Sequence, residues 1–340
     1  MKNILFFLLA CFMLSNTFWA KAQSSKNQDP QPVEGDTAVA DSLVNVVAYF
    51  AKGDTCDYWI AESKWRVNGK DTTKISDIRT KVRLVVTDST ANGYKMTYTF
   101  TDVVSDSTVN SLNNKLLGKI ADNLKRYVIG TTIQFETDEY GAITKINNLS
   151  QIKKQAKTLF KKGMKEITTT SEIKSLKSLG IDIANFAKDV DVDALVEGYL
   201  EELKMLFICH GGSYKIGKFE EHEDATDEDY ESDTYRSVLV NDDGNYTIDV
   251  DVVSVIPQSD LKDLVGGVVD LLKDKSVTEK FDKEFDSQVK EDGSLESRMS
   301  VNCYNDGWPC EVVKQTFVKI GELERVNQTV ISACYFSAKK

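Results

Sequence analysis

Between residues 82 and 101 apolar and polar side chains alternate along two successive runs, and that pattern admits one local structure. Tyr94, Met96, Tyr98 and Phe100 are apolar while Lys95, Thr97, Thr99 and Thr101 are polar, the period-two signature of a strand with one buried and one wet face. The preceding run places Val82, Leu84 and Val86 on its even positions. Because a one-residue slip would move a whole set of side chains to the wrong face, the two runs must pair even with even. That requires the three-residue loop Ala91-Asn92-Gly93 with Gly93 at positive φ, and it predicts Val86 opposite Tyr98 and Leu84 opposite Phe100.

The same unit recurs later. Tyr246, Ile248, Val250 and Val252 alternate with Thr247, Asp249 and Asp251 after Asp243-Gly244, which as a two-residue turn sets Leu239 opposite Ile248. Apolar residues at helical spacing follow each hairpin, Leu112 to Leu124 in the first case and Leu261 to Leu272 in the second. A strand pair then returns, Thr131 to Asn147 around Asp138-Glu139-Tyr140-Gly141, and Arg298 to Thr316 around Asp306-Gly307. Between them lies a helical stretch, Leu149-Ile152-Ala156-Leu159-Phe160, Ile173-Leu176-Leu179 and Leu195 to Phe207, closed by Gly211-Gly212. The expected fold class is α+β, antiparallel curved sheets with packed helices. It is either a duplicated strand-strand-helix-strand-strand unit or a plain alternation of hairpins and helices. The expected organisation is a first β-rich half over 43–148, a helical segment over 149–212 and a second β-rich half over 213–340.

The N-terminus reads as a secretory signal peptide over 1–22. Lys2 precedes the apolar run Ile4 to Leu14, and Ala20-Lys21-Ala22 forms a small-residue cleavage site before Gln23. The run is shorter than the roughly 20 residues a spanning helix needs. Leu8-Leu9-Ala10-Cys11 is similar to the lipobox of bacterial lipoproteins, but Phe12-Met13-Leu14 follow it where a polar tether belongs. The expectation is therefore cleavage after Ala22 and a periplasmic or secreted protein with no transmembrane helix, lipidation at Cys11 being the alternative. Residues 23–42, with Pro30 and Pro32 among small polar side chains, read as a flexible leader. With 42 Lys and Arg against 53 Asp and Glu the formal charge is −11, which argues against nucleic acid as a partner.

The order of a Gly-initiated strand ending in Phe, an acidic-Gly turn and an Ile-Thr-Lys-Ile strand over Gly130 to Ile146, then amphipathic helices, then Tyr214-Lys215-Ile216-Gly217, resembles a family of secreted β-rich proteins of Gram-negative bacteria. The resemblance spans about residues 45–220, rests on turn glycines rather than on a chemical motif, and implies fold and export only.

Export makes the cysteines informative, since the compartment is oxidising. Past the leader they are Cys56, Cys209, Cys303, Cys310 and Cys334, an odd number. A two-residue Asp306-Gly307 turn sets 303 against 310, so Cys303 and Cys310 are the candidate disulfide. The histidines, His210 and His222, match no metal-ligand spacing with Cys209 and the acids around them. Nine acids stand among residues 220–233, without the glycine an EF-hand loop requires. Lys153, Lys154, Lys157, Lys161, Lys162 and Lys165 make the helix at 149–167 basic, a pattern found on anionic lipid surfaces and on ordinary solvated helices alike. No P-loop, His-Glu-x-x-His, Gly-x-Gly-x-x-Gly or Gly-x-Ser-x-Gly occurs, so neither a cofactor nor a catalytic set is expected. The leading expectation is a non-catalytic exported envelope protein binding a hydrophobic or envelope ligand. By analogy with lipoprotein-carrier half-barrels, the ligand would lie in a cavity lined by Tyr94, Met96, Tyr98, Phe100, Ile248 and Val250. The alternatives are a structural or protein-docking envelope protein with a full core, and a hydrolase.

Overall fold

A computed structural model of the chain describes residues 31–32, 42–105, 128–168, 192–226, 229–262, 285 and 289–337. Strands β1 (Gln31–Pro32), β2 (Leu43–Asn45), β3 (Thr55–Asn68), β4 (Asp71–Thr90), β5 (Gly93–Ser105), β6 (Thr132–Thr137) and β7 (Ile143–Ile146) come first. Helices α1 (Leu149–Thr168) and α2 (Val192–Leu206) follow. The remaining strands are β8 (Ser213–Lys215), β9 (Gly217–Glu223), β10 (Ser232–Val240), β11 (Tyr246–Ile256), β12 (Gly293–Cys303), β13 (Pro309–Ile320) and β14 (Leu323–Ser337). The expected signal peptide and most of the expected leader lie outside the described residues, as do the helices expected around Leu112–Leu124 and Ile173–Leu179 and all but the start of the one expected over Leu261–Leu272. Among the described residues no helix is long and apolar enough to cross a membrane.

Twelve strands form one antiparallel sheet in the order β1-β9-β10-β11-β12-β13-β14-β3-β4-β5-β6-β7, and β2 pairs with β8 apart from it. This corrects the α+β expectation: among the described residues the fold is predominantly β, one large sheet with few helices. Its strands outrun the apolar alternation that announces them. β4 is 20 residues long, and its first half, Asp71 to Asp77, carries no apolar period. The two β-rich stretches also merge, because β14 pairs with β3 from Leu323↔Asn68 to Ser337↔Thr55.

One row across the sheet explains the core. Val238, Ile248, Val301, Val312, Ile331, Ile60 and Thr80 are successive cross-strand partners on seven strands, and every one is buried. Val196, Leu200, Leu203 and Leu206, one helical stripe of α2, belong to the same apolar cluster, as do Val44, Val46, Ala48 and Phe50 of the segment entering β3. Two and four residues further along, the same face turns polar, with the rows Lys314, Thr329, Glu62 and Ser297, Thr316, Asn327, Lys64. Lys314 is tied to Glu201 of α2, and its burial holds its ammonium below the ordinary lysine pKa.

Turn chemistry overrides three expected registers. In the β4–β5 hairpin Thr90 pairs with Gly93, and a bulge at Thr87 then restores even-with-even pairing as Val86↔Met96, Leu84↔Tyr98 and Val82↔Phe100, two residues from the expected partners. In the β10–β11 hairpin the Asn241 Oδ1 accepts the N–H groups of Asp243 and Asn245 at 3.1 and 2.9 Å, and this Asx turn lengthens the loop. Val238 therefore faces Ile248, while Leu239 sits opposite Thr247 and is 54% exposed. In the β12–β13 hairpin Cys303 pairs with Pro309 and Asn302 with Glu311, so Cys310 occupies a bulge. Both cysteines are free thiols.

Candidate functional site

The six residues expected to line a cavity all join one apolar cluster. Met96, Tyr98, Phe100 and Ile248 are buried in it, with Phe100 edge-on to Tyr98 at 5.2 Å. Tyr94 is half-buried, and its hydroxyl donates to the Ala48 carbonyl at 2.8 Å. Val250 is half-buried on β11, six strands away from β5 in the sheet. The Tyr98 hydroxyl is buried without a hydrogen-bond partner, and desolvation drives its pKa well above the ordinary tyrosine value.

At the end of this core stands His210. Its Nε2 lies 2.9 Å from the Gly307 carbonyl oxygen, which can only accept, so the proton is on Nε2. Phe50 and Phe207 flank the ring at centroid distances of 6.0 and 5.2 Å, and Nδ1 is buried without a partner. Burial dominates and holds the imidazole pKa down to about 4. Gly307, at φ 87°, lets the β12–β13 turn approach this ring and the backbone of Val47. His222, by contrast, is exposed between Asp233 and Asp224 at 2.8 and 3.4 Å, and these carboxylates raise its pKa. The two histidines do not meet, and among the described residues no group of three His, Cys, Asp or Glu side chains is placed to hold a metal ion.

The feature with the makings of a site lies on the opposite face. The pleat that directs Ile248 into the core directs Asp249 and Asp251 away from it. Tyr235, Asp251, Arg298 and Gln315 are successive partners across β10 to β13, and they border an open groove of about 420 Å³ to which Val313 adds apolar wall. Arg298 bridges two carboxylates, touching Glu296 and reaching Asp251 Oδ2 at 3.3 Å, while its guanidinium carbon stands 5.0 Å from the Phe317 ring centroid. The other Asp251 oxygen, Oδ1, is buried and has no donor. Burial, with Glu296 alongside, raises the Asp251 pKa against the opposing pull of Arg298. A carboxylate oxygen in that position is completed by a proton shared with Glu296, or by a donor that enters the groove. Tyr235, 43% exposed, offers an aromatic face beside it.

Sequence reasoning missed this groove. Asp249 and Asp251 read only as the wet positions of a strand. The telling signal is the cross-strand pair Asp251–Arg298, whose partners lie on strands joined by a long connection.

No family model matches the chain, and no curated protein matches it. Among solved structures, the chain is similar to one of lipid–protein interactions in lipovitellin, with a TM-score of 0.34 and 6% identity over 86% of this chain. It spans 26% of that protein's length. It is also similar to an outer membrane channel from Pseudomonas putida F1, with a TM-score of 0.12 and 8% identity, covering 89% of this chain and 100% of the channel.

Proposed function

We propose that this chain is a non-catalytic, exported binding protein of the cell envelope that takes its ligand in the groove on the outer face of β10 to β13. The supporting observation is Asp251 Oδ1, a buried carboxylate oxygen without a donor, in an open groove walled by Tyr235, Gln315 and Val313. An unpaired buried acceptor costs about 1–3 kcal/mol, which a ligand hydroxyl or ammonium would recover on binding. The ligand class that fits is an envelope component presenting such donors next to an apolar face, as a glycan does. Export, which the signal-peptide pattern over residues 1–22 supports, is part of the proposal.

Native mass spectrometry of the protein purified from its own periplasm, without detergent, tests the proposal. The expected result is added mass released on denaturation, lost from Asp251→Asn and Tyr235→Ala while both variants keep wild-type stability. A bare chain mass in the wild type, or ligand retained by both variants, would overturn it.

A further inference from the structure

Helix α1 carries a concentrated positive surface in this acidic chain. Lys153, Lys154, Lys157 and Lys161, with Ser150 and Thr158, line a single cleft of about 430 Å³ along the helix. Lys154, Lys157 and Lys161 are exposed, and Lys153 is anchored 3.3 Å from Glu197 of α2. Over its first two turns the other side of α1 is committed: Ile152 is buried in the core, and Leu149 and Ala156 pack against it. An interfacial membrane helix needs its apolar face free to enter the lipid, so the lysine face of α1 is suited to a charged partner surface rather than to insertion.

The matching surface is on the chain itself. Strand β9 and the segment after it expose Glu220, Glu223, Asp224, Asp229 and Glu231. Among the described residues β9 pairs on its outer side only through Phe219 and Glu220 with the two residues of β1, which leaves its acidic end at the sheet margin. The basic helix starts from the other margin, since α1 begins three residues after β7, the last strand in the sheet order, and runs from there along α2. The surfaces also match in length. Lys153 to Lys161 spans about 12 Å of helix, and Glu220 to Asp224 about 13 Å of extended chain.

We infer that these surfaces bind each other between copies, the lysine face of α1 in one copy seating on the acidic β9 margin of the next. Two copies of net charge −11 repel. At physiological ionic strength, however, screening acts within about 8 Å, so the diffuse repulsion fades while ion pairs at contact persist. Because the two patches differ, the contact is heterologous and adds copies head to tail, as a ring or an open chain, rather than stopping at a symmetric dimer. The contact shares Glu220 with the rim of the groove, but Glu223, Asp224 and Glu231, the acids reversed below, are not among the groove's lining residues, so the test separates the two.

Sedimentation of the full chain over about 10 µM to about 1 mM provides the test, since contacts of this kind are weak. Two exposed triple variants reverse one surface each: K154E/K157E/K161E and E223K/D224K/E231K. The wild type is expected to associate head to tail, and raising salt from about 50 to about 500 mM should weaken association at least about tenfold. Each folded variant alone should stay monomeric, and an equimolar mixture of the two should associate again, because each then presents the charge its partner lacks. Wild type that remains monomeric overturns the inference, as does association indifferent to either reversal. Monomeric wild type that binds vesicles of phosphatidylglycerol through Lys154, Lys157 and Lys161 would assign the lysine face to anionic lipid instead.

Discussion

At the scale of single residues, His210 makes the sharpest physical statement in the molecule. Its tautomer is dictated by the Gly307 carbonyl, and protonating the remaining Nδ1 would place an N–H among Phe50 and Phe207 with nothing to receive it. The folded pKa of about 4 lies below the ordinary value of 6.5, so the unfolded chain takes up this proton first. Stability from neutral burial is therefore complete above pH 6.5 and is lost as pH falls through the folded value, by at most about 3 kcal/mol. Urea unfolding of wild type and His210→Gln at pH 7 and at pH 4.5 checks this. Glutamine keeps a donor for Gly307 but does not titrate, so the wild type should lose stability relative to the variant on acidification. Parallel losses would mean that His210 is not the buried neutral base described. None of this is legible in the sequence, where His210 is only one of two histidines and sits beside a cysteine. Its chemistry is set by Gly307 and Phe50, residues far from it in the chain.

At the scale of elements, apolar periodicity places β4 through β7, α1, α2 and the β10–β13 strands near where they stand, because a half-buried strand or helix must alternate to bury one face. What periodicity cannot reach is register. The bulge at Thr87, the Asx turn at Asn241 and the bulge at Cys310 are decided by local hydrogen bonding that leaves the binary pattern unchanged. The polar half of the core-facing side of the sheet is equally invisible, since Glu62, Lys64 and Asn327 read as solvent positions until the sheet is assembled. Gly93 shows how tightly one turn is tied to the next hairpin. It sits at φ 132°, and a Cβ there would meet the Thr137 carbonyl oxygen at 2.1 Å. Gly69, in the β3–β4 turn, has φ 57° and open space around it. Gly69→Ala should cost about 1 kcal/mol, the backbone penalty alone. Gly93→Ala must also displace the β6–β7 backbone, which adds about 1–3 kcal/mol. Denaturant midpoints of the two variants should differ accordingly, and equal losses would refute the contact between the hairpins.

At the scale of the whole molecule, the decisive contact is the one between the chain's distant ends. β14 closes on β3 across some 270 residues, and without that seam the strands β9 to β14 and β3 to β7 would be two sheets, each with an exposed edge. Sequence reasoning finds two β-rich halves because each is built from local hairpins. Their union is non-local pairing, which leaves no mark in either half alone. The buried row from Val238 to Thr80 crosses the seam at Ile331 and Ile60, so a defect there should be felt on both sides. Ile331 is fully buried, and Ile331→Ala should cost about 2–5 kcal/mol. If the sheet is one cooperative unit, hydrogen exchange in that variant should quicken together in β4–β5 and in β11–β12. If the halves are independent, β14 belongs with its hairpin partner β13, and protection should fall in β11–β12 while β4–β5 keeps its wild-type rates. The first outcome follows from a core shared by both halves through α2, whose Leu200, Leu203 and Leu206 lie in one cluster with Phe100 of one half and Val301 of the other.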